Sequence, residues 1–195
     1  MTKVNWVDFL VLFIIIRSIY IGRTSGIVSQ LFNLTGSILS TFITLHYYTQ
    51  FGSFLKNNFS FLSKIAYIIA FATIASLSLL VFLLIREGWL LILRITEHNK
   101  LDRGIGIVLA AVQGYIVAGL VIFGILVTNN LYAIEDVRSS VSEEVLHIRH
   151  VSVDIYKLCF SLFVERYFPD EKINKTALFL AGKKQGYLKN LEGKI

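Results

Sequence analysis

The sequence predicts an all-α fold: a polytopic membrane helix bundle of four transmembrane helices plus a C-terminal amphipathic helix. Three observations carry that prediction. Residues 24–55, 65–85 and 104–134 contain no Asp, Glu, Lys or Arg, and a helix crossing a bilayer needs about 20 mainly apolar residues at about 1.5 Å rise each. The chain is 55% hydrophobic and only 16% charged, with a mean hydropathy of +0.66. A single proline in 195 residues leaves long helices unbroken.

The first span covers about residues 4–22. Its apolar centre, Phe9 to Ile16, is bracketed by Asp8 and Arg17. A cleaved signal peptide is a poorer reading, because Asp8 is misplaced for one and no small-residue cleavage site follows. Arg17 lies deep enough that it must snorkel to an interface or face the bundle.

The second span covers about 27–49. Gly26, Gln30, Asn33, Ser37, Ser40 and Thr44 recur at three- and four-residue spacing, which puts small and polar groups on one face. Lipid supplies no hydrophobic drive for helix association, so close backbone approach and interhelical hydrogen bonds must supply it. Asn33 and Ser37 are therefore packing candidates. His46, Tyr47 and Tyr48 close the span as an interfacial aromatic belt.

The third span covers about 65–85 and ends at Arg86 and Glu87. Trp89 to Ile95 is apolar but too short to span, and reads as an interfacial continuation with Trp89 at headgroup depth. The fourth span covers about 104–128. Gly106, Ala110, Gly114 and Ala118 recur every four residues, the small-xxx-small pattern of tight helix packing. Asp102 sits where a carboxylate caps free N–H groups at a helix start.

Residues 1–130 thus form a membrane domain and 131–195 a second region. In the latter, Ser140-Val-Ser-Glu143 matches a capping box. The apolar positions that follow share one helix face, which predicts an amphipathic helix over about 140–168, ending before Pro169. Residues 172–195 carry six Lys against one Glu and read as a basic flexible tail, with one short helical turn around Ala177 to Ala181.

The net charge of +6 divides unevenly. Residues 1–130 carry nine Lys/Arg against four Asp/Glu, and residues 131–195 ten against nine. The excess lies beside the membrane segments, where it sets orientation and meets lipid headgroups. Nucleic-acid binding is disfavoured, since no compact basic face with interleaved aromatics occurs. Positive-inside counting favours loops one and three on the cytoplasmic side, while the basic tail pulls the other way.

Little in the chain speaks of bond-making chemistry. The motifs HExxH, GxSxG and the P-loop are missing. Cys159 is the one cysteine, so no internal disulfide forms, and it reads as a small apolar residue on a helix face. His46, His98, His147 and His150 lack a metal-ligand grouping; His147 and His150 are three apart without a third ligand near. No catalytic residue, metal or cofactor is expected. Charged groups near the membrane are the functional candidates, because burying them is costly unless they are paired or hydrated. These are Asp8, Arg17, Asp102 and Arg103.

Two stretches together point to a family. The start reads Asn5-Trp6-Val7-Asp8, then an apolar run, then Gly26. The fourth span opens Asp102-Arg103-Gly104-Ile105-Gly106 and continues to Gln113-Gly114. Over about residues 4–130 the chain resembles the colicin V production proteins, which carry an N-terminal W-x-D and a D-R-x-x-G opening to the last span. Trp6, Asp8, Gly26, Asp102, Arg103, Gly106 and Gly114 fit that pattern. Gln30 and Gln113 depart from it, standing where an acidic and a basic residue are common.

The resemblance implies a multi-pass protein of the bacterial inner (cytoplasmic) membrane. Such a protein supports toxin production or export, or envelope homeostasis, as a non-enzymatic component. Its expected partners are the lipid bilayer and either a second copy of itself or another membrane or envelope protein. The alternative is an oligomeric channel or small transporter with a polar path lined by spans 1, 2 and 4.

Overall fold

In a computed structural model the described residues are 4–59, 62–93, 100–168 and 170–182. Among them every regular element is helical. Helix α1 is Trp6–Thr24, α2 Ile27–Phe59, α3 Ser63–Leu93 and α4 Lys100–Val127. Of these, α2, α3 and α4 are long and apolar enough to cross a membrane. Helix α1 is not in that set, and its 19 residues include Asp8, Arg17 and Arg23.

Helix α1 starts for a local reason. Asn5 caps α1: its side chain accepts from Val7 N–H, and the Asp8 carboxylate accepts from Asn5 N–H, closing a capping box. Helices α2 and α3 run beyond the expected limits, to Phe59 and Leu93. Lys56, Arg86 and Glu87 stop the hydrophobic run but are good helix formers, so they do not stop the helix. The step from α1 to α2 is only Ser25-Gly26, which forces the two to turn sharply.

Helix α1 packs along α4, while α2 packs against both α3 and α4. Helix α3 touches α4 far less, so the seam between them is loose. Glycines set the close approaches. A Cβ on Gly36 would lie 2.9 Å from Phe82 Cβ, and one on Gly52 would lie 2.3 Å from a Tyr67 ring atom.

The stretch expected as one amphipathic helix over 140–168 is divided. Helix α5 is Leu131–Ser139, α6 Val141–Leu146 and α7 Ile148–Cys159. A π-helical segment, Phe160–Val164, and a last turn, α8 (Glu165–Tyr167), complete it. The break is His147, in the left-handed region at φ 48°, a conformation that costs a non-glycine residue energy. Apolar periodicity continues through the break, so hydropathy alone does not reveal it. Helix α9 is Lys175–Gly182. Ile95, His98, Pro169 and the basic tail beyond Gly182 lie outside the described residues.

These C-terminal helices dock on the bundle. One apolar cluster joins Leu45, Tyr48, Phe71, Leu120 and Phe123 to Val153, Tyr156, Phe160, Val164 and Ala177. A second joins Val7, Val11, Ala118, Ile122 and Leu126 to Ile134, Val137, Ile148 and Val151. Burial of this kind stabilises by about 25 cal/mol per Å² removed from water or, within lipid, by close packing alone.

Candidate functional site

The sequence-derived candidates fall into a seam, two capped ends and a polar column. The seam lies between α1 and α4. A Cβ on Gly22 would lie 2.2 Å from Ala110 Cβ and 2.9 Å from the Gly106 carbonyl oxygen. A Cβ on Gly106 would lie 2.9 Å from the Ser25 carbonyl and 3.0 Å from that of Gly22. A Cβ on Gly114 would lie 2.8 Å from Ser18 Cβ. Ala110 and Ala118 are fully buried. The every-fourth-residue stripe of α4 is therefore consumed inside the chain, against α1. Gly22 belongs to the same contact; one glycine in a partly charged helix gave no pattern to find it by.

At one end of the seam stands Asp102. Its Oδ1 accepts from the backbone N–H of Ile27 at 2.7 Å. The carboxylate thus caps α2 from the first turn of α4, satisfying an orphan donor of a helix other than its own. The buried Gly26 precedes Ile27, and its carbonyl accepts from Gln30 N–H. Arg103 is exposed beside Asp102.

At the other end stands Asp8. Besides Asn5 N–H it accepts from Ser142 N–H at 2.7 Å, Ser142 Oγ–H at 2.7 Å and Val141 N–H at 3.4 Å. It therefore caps both α1 and α6. Trp6 Nε1–H donates to Asp136 Oδ2 at 2.7 Å, and Asn5 Nδ2–H to the Asp136 carbonyl at 2.6 Å. The two acidic motif residues tie the ends of the α1–α4 pair to the rest of the molecule. Arg17 joins neither end: it is exposed on the outer face of α1, among Phe13, Ile16 and Tyr20.

The polar column is the face of α2 turned toward α3 and α4. Gln30, Ser37, Ser40, Thr41 and Thr44 are all buried. Ser37 and Thr41 hydroxyls bond back to carbonyls of α2. Gln30 Nε2, Ser40 Oγ, Thr44 Oγ1 and Tyr48 Oη are buried without a hydrogen-bond partner. Near the start of α2 a cavity of about 130 Å³ opens among Asn33, Gly36, Ser37, Phe82, Leu83 and Gln113. Asn33 Oδ1 accepts from Arg86 Nη1–H at 3.0 Å, and Arg86 also pairs with Glu87.

His46 is the residue that the sequence reading missed. It is buried inside the protein. Its Nε2 lies 3.0 Å from Glu171 Oε1 and its Nδ1 3.1 Å from Tyr156 Oη. Asn174 N–H donates to the Tyr156 oxygen at 2.8 Å, and Asn174 Nδ2–H to the Leu45 carbonyl at 2.6 Å. A neutral imidazole satisfies every member: Tyr156 donates to Nδ1, and Nε2–H donates to the carboxylate. Burial, and to a lesser degree the Glu171 charge, raise the Tyr156 phenol above its usual range, against the Asn174 hydrogen bond. This network latches the segment before α9 onto α2. Its partners lie 110 and 125 residues away in sequence, beyond the reach of any local motif.

Among the described residues no three His, Cys, Asp or Glu side chains gather as metal ligands would. A family model described as Colicin V production protein matches residues 7–147, well over half of the chain. No curated protein and no solved structure matches it.

Proposed function

The chain belongs to the colicin V production protein family, and on that premise we propose that it is a non-enzymatic, multi-pass component of the bacterial inner membrane. In this reading it supports toxin production or export, or envelope homeostasis, by assembling with a second copy or another envelope protein. α1 serves as a fourth span beside α2, α3 and α4. The observation that carries the reading is how the motif is used. Asp8, Asp102, Gly106 and Gly114 make helix caps and close helix contacts, so the motif specifies a scaffold. Surfaces left over for lipid or partners are the outward apolar faces of α1 and α3, with Phe9, Phe13, Leu77 and Leu80 exposed.

The test compares Asp8→Asn and Asp102→Asn with a deletion strain, scoring colicin V export and detergent tolerance against the amount of folded protein. A scaffold predicts that function falls only as far as folded protein falls. Full expression of a folded Asp8→Asn protein with lost function would assign chemistry to that carboxylate and sink the reading.

The polar column favours a second reading, an oligomeric channel or small transporter. Orphaned polar groups inside a bundle are costly and mark hydrated paths. Such a path would be lined by α2, α3 and α4, since Arg17 faces outward and Asp8 lies at the end of α1. Solute flux into liposomes holding the folded protein, compared with empty liposomes, decides it.

A further inference from the structure

We propose that the outer face of α1 docks a transmembrane helix of a different protein, one carrying an Asp or Glu at mid-depth to pair with Arg17. The proposal rests on the reading of α1 as a fourth span, and it chooses between the two partners that reading leaves open.

Contacts between α1 and α4 fix the level of Arg17. The two helices run antiparallel, with Val7 and Val11 packed against Ile122 and Leu126 and Gly22 against Ala110. Between those contacts, a Cβ on Gly114 would lie 2.8 Å from Ser18 Cβ and 3.1 Å from Ile15 Cα. Arg17 stands between Ile15 and Ser18, so it is level with Gly114, midway along the apolar stretch Asp102–Val127. The other charged residues of α1 are Asp8 and Arg23. At about 1.5 Å per residue they lie about 14 Å and about 9 Å from Arg17 along the helix. Arg17 is thus the charge of α1 set deepest in the hydrocarbon.

Its surroundings have the make-up of an interface. The side chain is exposed on the face turned away from α4, and among the described residues no hydrogen bond or ion pair engages it. Phe9, Phe13, Ile16 and Tyr20 stand out beside it, each more than half exposed. Aromatic residues and arginine are the usual anchors of interface cores. The exposed face of α3 differs: Leu77, Leu80, Leu83 and Leu84 are aliphatic and uncharged, which suits acyl chains.

Three occupants compete for the α1 face, and two fit poorly. Against lipid, Arg17 must stretch to a headgroup. Side chains on a helix tilt toward its N-terminus, and from Arg17 that direction leads to Asp8, the more distant end. A second copy offers no counter-charge at this depth. Residues 24–55, 65–85 and 104–134 contain no Asp or Glu, and Asp8 is engaged by α6. Packing α1 against α1 would set Arg17 beside Arg17. A carboxylate on a foreign helix takes the guanidinium in a two-pronged hydrogen-bonded pair, and each charge then offsets the cost of burying the other.

Photocrosslinking in native membranes tests this. A photoreactive phenylalanine replaces Phe13 or, in a separate protein, Tyr20, so that one disturbed contact does not hide the partner. The expected product is one protein adduct, its crosslinked peptide lying in a transmembrane helix with an Asp or Glu near the middle. Arg17→Gln lowers the yield at least about tenfold, as loss of a charge-assisted pair requires. Arg17→Glu recovers it when the partner's carboxylate is replaced by lysine. Size-exclusion chromatography confirms that the variants remain folded. An adduct with a second copy, with lipid alone, or one indifferent to Arg17→Gln overturns the proposal, and so does the lack of any adduct. Ile16→Cys in a Cys159→Ser background separates the two levels of failure. If it resists a membrane-impermeant maleimide, α1 spans and only the partner is wrong. If it reacts as fast as the exposed Tyr132→Cys, α1 is not a span and the underlying reading falls as well.

Discussion

The α1–α4 seam and the α2 polar face solve helix association in opposite ways. Along the seam, glycine and alanine bring two backbones together, and the polar groups at its ends are satisfied by backbone N–H donors. Along α2, polar side chains enter the interior and several find no partner. The first arrangement gains stability from contact and the second gives some of it up. That contrast separates the part of the molecule that holds shape from the part with polar capacity to spare.

Breaking the seam has the largest expected effect. Gly22→Leu places side-chain atoms where Ala110 already stands, and overpacking of this kind costs about 3 kcal/mol or more when backbones must part. Little folded protein survives detergent extraction, as size-exclusion chromatography will report. The capped ends come next. Asp8→Ala removes the acceptor for three backbone N–H groups and a hydroxyl and costs about 2–4 kcal/mol. Asp102→Ala costs about 1–2 kcal/mol, the range for a lost helix cap. Thermal unfolding in one detergent ranks the two; equal losses would mean that Asp8 does not hold α6.

How far these features were readable in the sequence differs by element. The three uncharged stretches located α2, α3 and α4, because hydropathy responds to the bilayer and to little else. The packing stripe on α4 was visible as a period of four, but its partner was not. Gly22 carries no signal until α1 is laid beside Ala110. Asp102 was legible as a cap, yet the helix it caps is α2, since spacing along a chain cannot name a neighbour in space. The apolar period of Val141, Val145 and Ile148 runs past His147 in sequence, while His147 breaks the helix in space. The contacts of His46 were not legible because its partners, Tyr156 and Glu171, arrive from the far end of the chain.

The polar face gives a sharper and smaller prediction. Ser40→Ala with Thr44→Val removes two hydroxyls that have no partner. If the column is dry, the change is neutral or stabilising, within about 1 kcal/mol, because a desolvation cost disappears. A clear loss of unfolding temperature would show that internal water satisfies those hydroxyls and would move the column toward a conducting role.

Smallest is the effect at Cys159. The thiol is buried, and burial raises it above its usual range. A raised value favours the neutral thiol, so alkylation at pH 8 runs at least about tenfold slower than for an exposed thiol. The rate climbs as pH rises toward the shifted value. Labelling as fast as a free thiol would mean that α7 leaves the bundle readily.

The bond between Asp8 and Ser142 spans 134 residues, and this sets a timetable for biogenesis. Helix α1 leaves the ribosome carrying a carboxylate whose partners on α6 are not yet made. At about 5–20 residues per second, synthesis leaves Asp8 waiting on the order of ten seconds. During that interval α1 is a 19-residue, partly charged helix whose Asp8 end is not yet clasped. Synthesis of α6 then closes the clasp on α1, so a product truncated before Ser140 would retain the hydrophobic helices and lack it.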